Sequence, residues 1–431
     1  MNHYKETIRL GVPIMLGQLG IIIVGFADNI MVGHHSTQEL AAASFVNNFF
    51  NLAFIFGMGF SYGLTPIVGR LFAQKQYAEV GATLKNSLAI NFIVGILLSL
   101  CMLFLLFNLD WLNQPKELYP YIIPYYILQL FSVVFTMLFN SFKQFSDGTT
   151  DTLTPMYVML SANVVNIIGN YFLIYGHGGF PELGLTGAGI STLFSRILTL
   201  AAFCWLFCRR KKYAESVINR ESIRNLVRLG LPVGFQMGVE TGSFSLSVIM
   251  MGWIGSTALA AYQVGGVITT LGFMLYYGIG AAVSIRVSNF NGSRNNQEIR
   301  KATQAGFVII NTCALLFIAF LLLFRTRIGY LFTPEEEVVK LVALFCWPMM
   351  LYQFGDSLQI LFANALRGLT DVKYMAKMAL VCHFGLALPI GYICGFILNL
   401  GALGVWFGFP ISLTTLGLCL WRRFHVLTKA D

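Results

Sequence analysis

Three acidic side chains, Asp28, Glu240 and Asp356, lie inside long apolar stretches of this sequence. A charged group at the centre of a membrane helix costs ~2.5–3.5 kcal/mol on insertion scales, so each acid needs a partner or water. Protonated acids that tie helices together would be a purely structural solution. Three such acids in one chain favour a functional interpretation, in which they handle an ion or a proton.

Polar residues recur at helical spacing around two of these acids. They are Gln236, Ser243 and Ser247 around Glu240, and Tyr352 and Gln359 around Asp356. Carboxylate, phenol and amide oxygens are the ligands that a hard cation prefers. A buried carboxyl group can instead carry a proton. These residue types therefore leave both Na⁺ and H⁺ open as the ion that is handled.

A third polar stripe consists of Asn163, Asn166 and Asn170. In lipid such a stripe must face inward, because exposed polar groups find no partner in hydrocarbon. Amides also commonly join membrane helices without any further function. We favour a functional role and keep helix joining as the alternative.

The elements that must position these residues are membrane-spanning helices. The chain has 431 residues, of which 56% are hydrophobic and only 11% are charged, whereas soluble domains carry roughly 25% charged residues. Apolar stretches of about 18–25 residues, long enough to cross a bilayer as a helix, recur along the chain. We predict an all-α integral membrane protein with twelve spans at residues 8–33, 41–70, 86–108, 120–144, 153–175, 185–208, 229–253, 260–289, 304–324, 340–366, 375–397 and 402–421.

The basic residues follow one side of these spans. The exceptions are Lys116, Arg325, Arg327 and Lys340 in the opposite loops, and Arg196 within the sixth span. Positive residues stay cytoplasmic, so we predict that both termini are cytoplasmic. A basic segment at 209–228 joins the sixth and seventh spans.

The second half of the chain repeats the first. An alignment that places Pro13 on Pro232 also matches LGVP with LGLP and LAA with LAA, and further along Gly148 falls on Gly368. We predict two six-helix lobes, 1–208 and 229–431, joined by the cytoplasmic linker 209–228 and related by a pseudo-two-fold axis along the membrane normal. The two prolines either bend the first and seventh spans or mark their starts.

The order of several motifs resembles that of the MATE transporters, most closely their NorM-like branch. The motifs are LGVPIMLGQLG, FADNIMVG, ELAAASF and NIIGNYFLIYG in the first half, and LGLPVGFQMGVE, ALAAYQV, LFTPEEEVV and YQFGDSLQILFANALRG in the second. The resemblance covers nearly the whole chain. It implies a secondary antiporter that exports organic, often cationic, compounds against Na⁺ or H⁺ by alternating access between two lobes.

The resemblance also implies roles for individual residues. Cation coupling is expected at Glu240, Tyr352 and Asp356, which would be the ligands if the ion is Na⁺. Substrate or proton binding in the first lobe is expected at Asp28, Asn166 and Asn170. Some relatives carry Asp at the position of Asn170, so the amide here shifts the expected coupling site toward the second lobe. Further polar lining is expected from Gln236, Ser243, Gln359 and Gln263.

The expected partners are small organic molecules and the lipid bilayer. We predict a monomer in the bacterial inner membrane that is not an enzyme, binds no nucleic acid and holds no cofactor tightly, with Na⁺ or H⁺ as coupling ion. The drug is expected to enter a central cleft lined by some of the 38 Phe and 18 Tyr residues. The nearest alternative is a flippase for lipid-linked oligosaccharides of the same superfamily, and a membrane-embedded enzyme or a channel is more remote.

Overall fold

The computed structural model describes residues 2–112, 115–209, 213 and 220–429, and these contain helices and turns but no strand. The α-helices in chain order are α1 His3–His35, α2 Thr37–Ser61, α3 Leu64–Ala73, α4 Tyr77–Phe107, α5 Tyr119–Gly148, α6 Leu153–Tyr175, α7 Gly184–Cys208, α8 Arg220–Ile254, α9 Ser256–Gly292, α10 Asn296–Phe324, α11 Glu336–Gly368, α12 Val372–Cys382, α13 Leu388–Tyr392 and α14 Gly401–Thr428. Two π-helical turns, His383–Ala387 and Ile393–Ile397, flank α13.

Eleven helical stretches in the described part of the chain are long and apolar enough to cross a bilayer. Among them, α2 and α3 form one stretch, Thr37–Ala73, and α12 continues through α13 to form another, Val372–Ile397. The seventh predicted span corresponds to α8, which is 35 residues long and whose polar side chains and glycines lower its hydropathy. The predicted all-α membrane fold is confirmed, with a long helical stretch at each predicted span.

Both prolines of the repeat lie inside helices. Helix α1 continues unbroken through Pro13, and α8 continues through Pro232. The interpretation of the prolines as helix starts is therefore wrong. Each proline removes one backbone N–H from the helical hydrogen-bond ladder, so each helix is locally weakened at that point.

Packing divides the chain into two compact units, and both divisions fall inside a helix. The C-unit comprises Met1–Met15 and Phe235–Asp431, and the N-unit comprises Leu16–Gly234. Met15 and Gly234 each lie two residues beyond one of the repeat prolines. The units thus differ from the predicted lobes by the first part of α1 and of α8, and the lobes themselves stay a prediction. Of the predicted linker, 210–212 and 214–219 lie outside the described residues.

Glycines allow these helix ends to pack closely within their units. In the C-unit, a Cβ on Gly278 would lie 2.6 Å from the carbonyl oxygen of Gly11. In the N-unit, a Cβ on Gly230 would lie 2.5 Å from the carbonyl oxygen of Phe60. Any side chain at Gly278 or Gly230 would push the backbones apart, which is why small residues mark close helix contacts in membranes. Gly11 and Gly230 are equivalent in the repeat, so both units have a close backbone contact at the same glycine position.

The turns preserve the repeat as well. Lys75 and Arg294, which the repeat aligns, have φ angles of 60° and 53°, and Thr150 and Thr370 have φ angles of 65° and 66°. Residues other than glycine rarely adopt this left-handed conformation. Two matched pairs of such residues show that the halves share turn geometry as well as sequence.

Candidate functional site

The N-unit holds the carboxylate of Asp28 in a hydrogen-bonded network. Asn170 donates its Nδ2–H to Asp28 Oδ1. Asn166, one turn earlier on α6, donates to the same oxygen at 3.1 Å when its amide is oriented to satisfy both of its ends. In that orientation its oxygen accepts from the backbone N–H of Thr192 at 3.2 Å. Helices α6 and α7 therefore fix the carboxylate carried by α1.

A guanidinium group lies near this network. Arg196 Nη1 on α7 donates to Gln129 Oε1 at 3.3 Å and to Ser132 Oγ, both on α5. Its guanidinium carbon lies 4.6 Å from the centroid of the Phe54 ring on α2. Arg196 and Asp28 are close enough to interact electrostatically, although no ion pair joins them in the described part of the chain. The N-unit site therefore contains one charge of each sign.

The C-unit contains two acids, and they have fewer hydrogen-bond partners than Asp28. Asp356 on α11 is 1% exposed, and neither of its carboxylate oxygens has a hydrogen-bond partner among the described residues. The carboxylate of Glu240 on α8 accepts one hydrogen bond from the described residues, from Gln359 Nε2 at 3.4 Å. The two acids interact electrostatically with each other. An ionised carboxylate without a partner is costly in a buried site, so this pair is incomplete by itself.

The helices that carry the acid pair also carry buried neutral oxygens. The amide oxygens of Gln236 and Gln359 are buried and, within the described chain, lack partners. Tyr352 is buried one turn before Asp356, and its ring packs against Trp406 with centroids 6.3 Å apart. Two buried donors, Gln353 Nε2 and Trp406 Nε1, also lack partners. The unpaired oxygens on these helices outnumber the donors and include both oxygens of a carboxylate, a composition that suits a cation.

The donor set distinguishes classes of cation. No group of three or more His, Cys, Asp or Glu in the described ranges could hold a metal ion. Transition metals prefer imidazole and thiolate ligands, whereas the oxygens here come from two carboxylates, amides and a phenol. This composition fits a hard cation of low charge, or a proton on one of the two acids.

A buried histidine belongs to the same region and was missed by the sequence reasoning. His383, 0% exposed, lies in the first π-helical turn, with its Nδ1 3.2 Å from Ser243 Oγ. Ser243 donates its hydroxyl proton to the carbonyl oxygen of Glu240 at 2.8 Å. With the Ser243 proton assigned to that carbonyl oxygen, Nδ1 is the donor to Ser243. The other ring nitrogen, Nε2, has no partner in the described chain. The alignment of Gly148 with Gly368 places His383 on Asn163, and this match was the available signal.

Other N-unit residues were missed as well. Tyr125 donates to Asn47 Oδ1 at 3.0 Å and accepts from Gln129 Nε2 at 3.0 Å. Tyr125, Gln129 and Ser132 follow one another at helical spacing in the fourth predicted span, so the same stripe criterion that found the asparagines would have found them.

Of the remaining predicted residues, Ser247 continues the polar stripe and Gln263 is exposed. Ser247 donates to the backbone oxygen of Ser243 at 3.1 Å, which extends the polar stripe of α8. Gln263 is exposed on α9, and its role in the polar lining stays a prediction. The structure thus brings together Asp28, Asn166 and Asn170 in one unit, and Glu240, Tyr352, Asp356 and Gln359 in the other.

A comparison with protein families gives a match in each half of the chain. The family model named MatE matches residues 13–172 and again 232–393. These two ranges contain the acids and amides of both sites.

Individual relatives align over almost their full length. A probable multidrug resistance protein NorM of Xylella fastidiosa is 28% identical over 99% of this chain and 93% of its own. The multidrug resistance protein NorM of Vibrio cholerae is 28% identical over 100% of this chain and 97% of its own. Among solved structures, a variant of the Vibrio cholerae MATE transporter VcmN superposes with a TM-score of 0.90 at 18% identity, covering 99% of this chain and 97% of that one.

Proposed function

The chain belongs to the MatE family, and on that premise we propose that it is a multidrug exporter coupled to a cation gradient. It would move organic, often cationic, compounds out of a bacterial cell against an inward flow of Na⁺ or H⁺. The names of its relatives support the export of drugs. The antiport mechanism and the coupling ion rest on the chemistry of the two sites.

The observation that carries the proposal is the acid pair of the C-unit. Asp356 is buried with both carboxylate oxygens unpaired, and Glu240 has one long hydrogen bond. Two negative charges in such a place repel each other and lack the solvation they would have in water. A bound cation or proton removes that cost, so occupancy of this site is strongly linked to the free energy of the unit.

Coupled transport requires that cation binding change the free energy of one conformational state more than that of the other. A ligand shifts a conformational equilibrium only by the difference between its affinities for the two states. We propose that the cation binds at Glu240 and Asp356, with Tyr352 and the amide oxygen of Gln359 as further ligands. Drug and cation would prefer different states, so that arrival of the cation expels the drug.

The remaining parts of the proposal follow from the family and the charge pattern. The protein would act as a monomer in the inner membrane with both termini cytoplasmic, where its basic loops satisfy the positive-inside rule. It would need no tightly bound cofactor. Asp28 would contribute to the binding of substrate or of a proton in the N-unit.

Transport in proteoliposomes tests this proposal. The efflux of a fluorescent organic monocation would be followed under an imposed Na⁺ gradient and, separately, under an imposed pH gradient. Wild-type protein would be compared with Glu240→Gln and Asp356→Asn. We expect gradient-driven efflux in the wild type and its loss in both variants, and the effective gradient would identify the coupling ion.

A matched control is available on the same helix as Asp356. Glu337→Gln makes an acid-to-amide change at an exposed position near the start of α11 and should transport like the wild type. Folded wild-type protein that exports under neither gradient would refute the antiport proposal and favour the flippase alternative. Transport that survives in both acid variants would move the coupling site to Asp28.

A further inference from the structure

A histidine lies between two carboxylates at the C-terminal end of α1. His35 Nδ1 is 2.8 Å from Glu39 Oε2 at the start of α2, and its Nε2 is 2.9 Å from Glu182 Oε1 in the segment between α6 and α7. All three residues belong to the N-unit. Carboxylate oxygens accept hydrogen bonds, so each ring nitrogen must carry a proton for both bonds to form. With both bonds in place, His35 is an imidazolium cation.

The carboxylate of Glu39 also holds the start of α7. The backbone N–H of Leu185 donates to Glu39 Oε2 at 3.0 Å, and an N–H in the first turn of a helix has no partner within that helix. A Cβ at Gly184 would collide with the same carboxylate, so a side chain there would prevent the contact. Glu39 is 7% exposed. His35 and Glu39 thus connect the corner between α1 and α2 to the α6–α7 segment.

The two hydrogen bonds of His35 differ in how they would respond to loss of a proton. A neutral imidazole has a single N–H, so it can donate to Glu39 or to Glu182 but not to both. The side chain of Glu182 is 66% exposed, and water can replace the lost donor there. A buried carboxylate such as Glu39 pays a larger desolvation cost when it loses a donor. The contact that deprotonation releases is therefore the one with Glu182.

The other ionisable side chains on the packed elements have different surroundings. Tyr175 at the end of α6, whose ring centroid is 6.3 Å from that of His35, donates its hydroxyl proton to the carbonyl oxygen of Met31 at 2.8 Å. His177 packs on the Tyr175 ring with centroids 5.9 Å apart, and His34 is exposed. Among these side chains, His35 is the one whose two ring nitrogens both contact a carboxylate.

We propose that His35, Glu39 and Glu182 form a proton-sensitive latch at the outer end of the N-unit. Protonated His35 ties the α1–α2 corner to the α6–α7 segment, and neutral His35 releases Glu182. Histidine side chains change charge between about pH 5 and 8, so the latch is closed on the acidic side of this range and open on the alkaline side. The outer location rests on the proposed topology, in which α1 starts in the cytoplasm and crosses the bilayer once. The pH outside the cell therefore controls the latch.

The latch acts on the elements that carry the N-unit site. His35 follows Asp28 by seven residues on α1, which is about 10 Å along a helix. Helix α6, which carries the asparagine partners of Asp28, ends at Tyr175, seven residues before Glu182. Release of Glu182 frees the α6–α7 segment from the end of α1. External pH thus sets how readily this end of the N-unit opens, a control separate from cation binding in the C-unit.

Hydrogen exchange tests the latch without any substrate. Exchange of the backbone amides of residues 176–186 would be followed by mass spectrometry, with the full-length protein in lipid nanodiscs. The two conditions would be about pH 5 and about pH 8.5, on either side of the histidine range, with rates corrected for the intrinsic effect of pH on exchange. We expect the corrected wild-type rate to be about tenfold higher at the alkaline pH, the effect of one lost charge-assisted hydrogen bond.

Variants identify the group that binds the proton. His35→Gln is neutral at both pH values and should exchange rapidly at both, whereas His35→Lys stays charged and should exchange slowly at both. His34→Gln is the matched control at the neighbouring exposed position and should keep the wild-type pH dependence. Asp28→Asn should keep it as well, because Asp28 does not contact the latch. Unchanged exchange in α4 would show that the His35 variants are folded.

The opposing outcomes are equally specific. A wild type whose corrected exchange does not change with pH would overturn the proposal, as would pH dependence that survives in His35→Gln. Loss of the pH dependence in His34→Gln or Asp28→Asn would place the responsible proton elsewhere and would also overturn it. Neither a substrate nor an ion gradient takes part in this experiment, so failure of the latch leaves the export proposal intact, and failure of export leaves the latch intact.

Discussion

Both units carry buried or half-buried acids on helices that the repeat relates, but the hydrogen-bond partners and neighbouring charges of these acids differ. In the N-unit, Asp28 receives hydrogen bonds from Asn166 and Asn170 and has Arg196 nearby as a countercharge. In the C-unit, Asp356 has no hydrogen-bond partner in the described chain, and its neighbour Glu240 adds a second negative charge. The carboxylate of Asp28 thus has hydrogen-bond donors without any ligand, whereas that of Asp356 has none within the described chain.

Under the proposed function, this difference allows one repeated architecture to serve two tasks. A carboxylate held by fixed hydrogen-bond donors keeps its position whether or not a ligand is bound, which suits the recognition of varied solutes. The free energy of an unpaired acid pair falls when a cation binds, which suits a site that drives a conformational change.

Asp356→Asn should have the largest effect, because it removes the unpaired charge itself. We expect the affinity for the coupling cation to fall by about 100-fold or more, while the unfolding temperature without the cation does not fall. Thermal unfolding of the purified protein with and without Na⁺, and at different pH values, would measure both quantities. A variant that is clearly less stable in the absence of the cation would show that Asp356 has a structural partner after all.

Glu240→Gln should act in the same direction but less strongly. The amide oxygen can still accept the hydrogen bond from Gln359, so only the charge is lost. We expect the cation affinity to fall by ~10-fold, which corresponds to about 1.4 kcal/mol. Isothermal titration of the cation into the wild type and the variant would measure this difference. A loss larger than that of Asp356→Asn would reverse the order of importance within the pair.

Asp28→Asn should show the opposite pattern to Asp356→Asn. It replaces charge-assisted hydrogen bonds with neutral ones and leaves Arg196 without its countercharge, so stability should fall by about 1–2 kcal/mol. The unfolding temperature would decrease, but the increase produced by the coupling cation should remain. If that increase disappeared instead, the cation would bind in the N-unit and the contrast between the units would be lost.

His383→Asn should have the smallest effect and would refine the comparison. It installs the residue that the N-unit carries at the equivalent position, Asn163, and the amide nitrogen can still donate to Ser243 in place of Nδ1. We expect export within about threefold of the wild type, a difference of ~0.7 kcal/mol. His383→Ala, which leaves Ser243 without that donor, is the comparison variant. A large loss of export in His383→Asn alone would assign a transport role to the imidazole Nε2.

Much of the fold was predictable because hydropathy and the repeat act over long stretches of sequence. Apolar length fixed the spans, and matched glycines and prolines revealed the two halves. The division inside α1 and α8 was not predictable, since it depends on close backbone contacts such as that of Gly11 with Gly278. Helical periodicity shows which residues share a face but not which helix that face will meet.

The candidate site was predictable in part for the same reason. Single acids in apolar spans are conspicuous, and so Asp28, Glu240 and Asp356 were found directly. His383 escaped because a lone histidine on an apolar helix carries no periodic signal, and because its π-helical turn alters the spacing from which faces are inferred. The partners of Arg196 on α5 share a helical stripe that was detectable, but nothing in the sequence showed that this stripe faces Arg196.

The position of the first fifteen residues has a consequence for biosynthesis. Met1–Met15 belong to the unit that otherwise begins at Phe235, and Gly11 packs against Gly278. A ribosome adds roughly 5–20 residues per second, so the earliest segment waits on the order of ten to fifty seconds for the helix that it will contact. During that interval the first part of α1 is in contact with lipid or the insertion machinery. The C-unit becomes complete only after most of the polypeptide has been made.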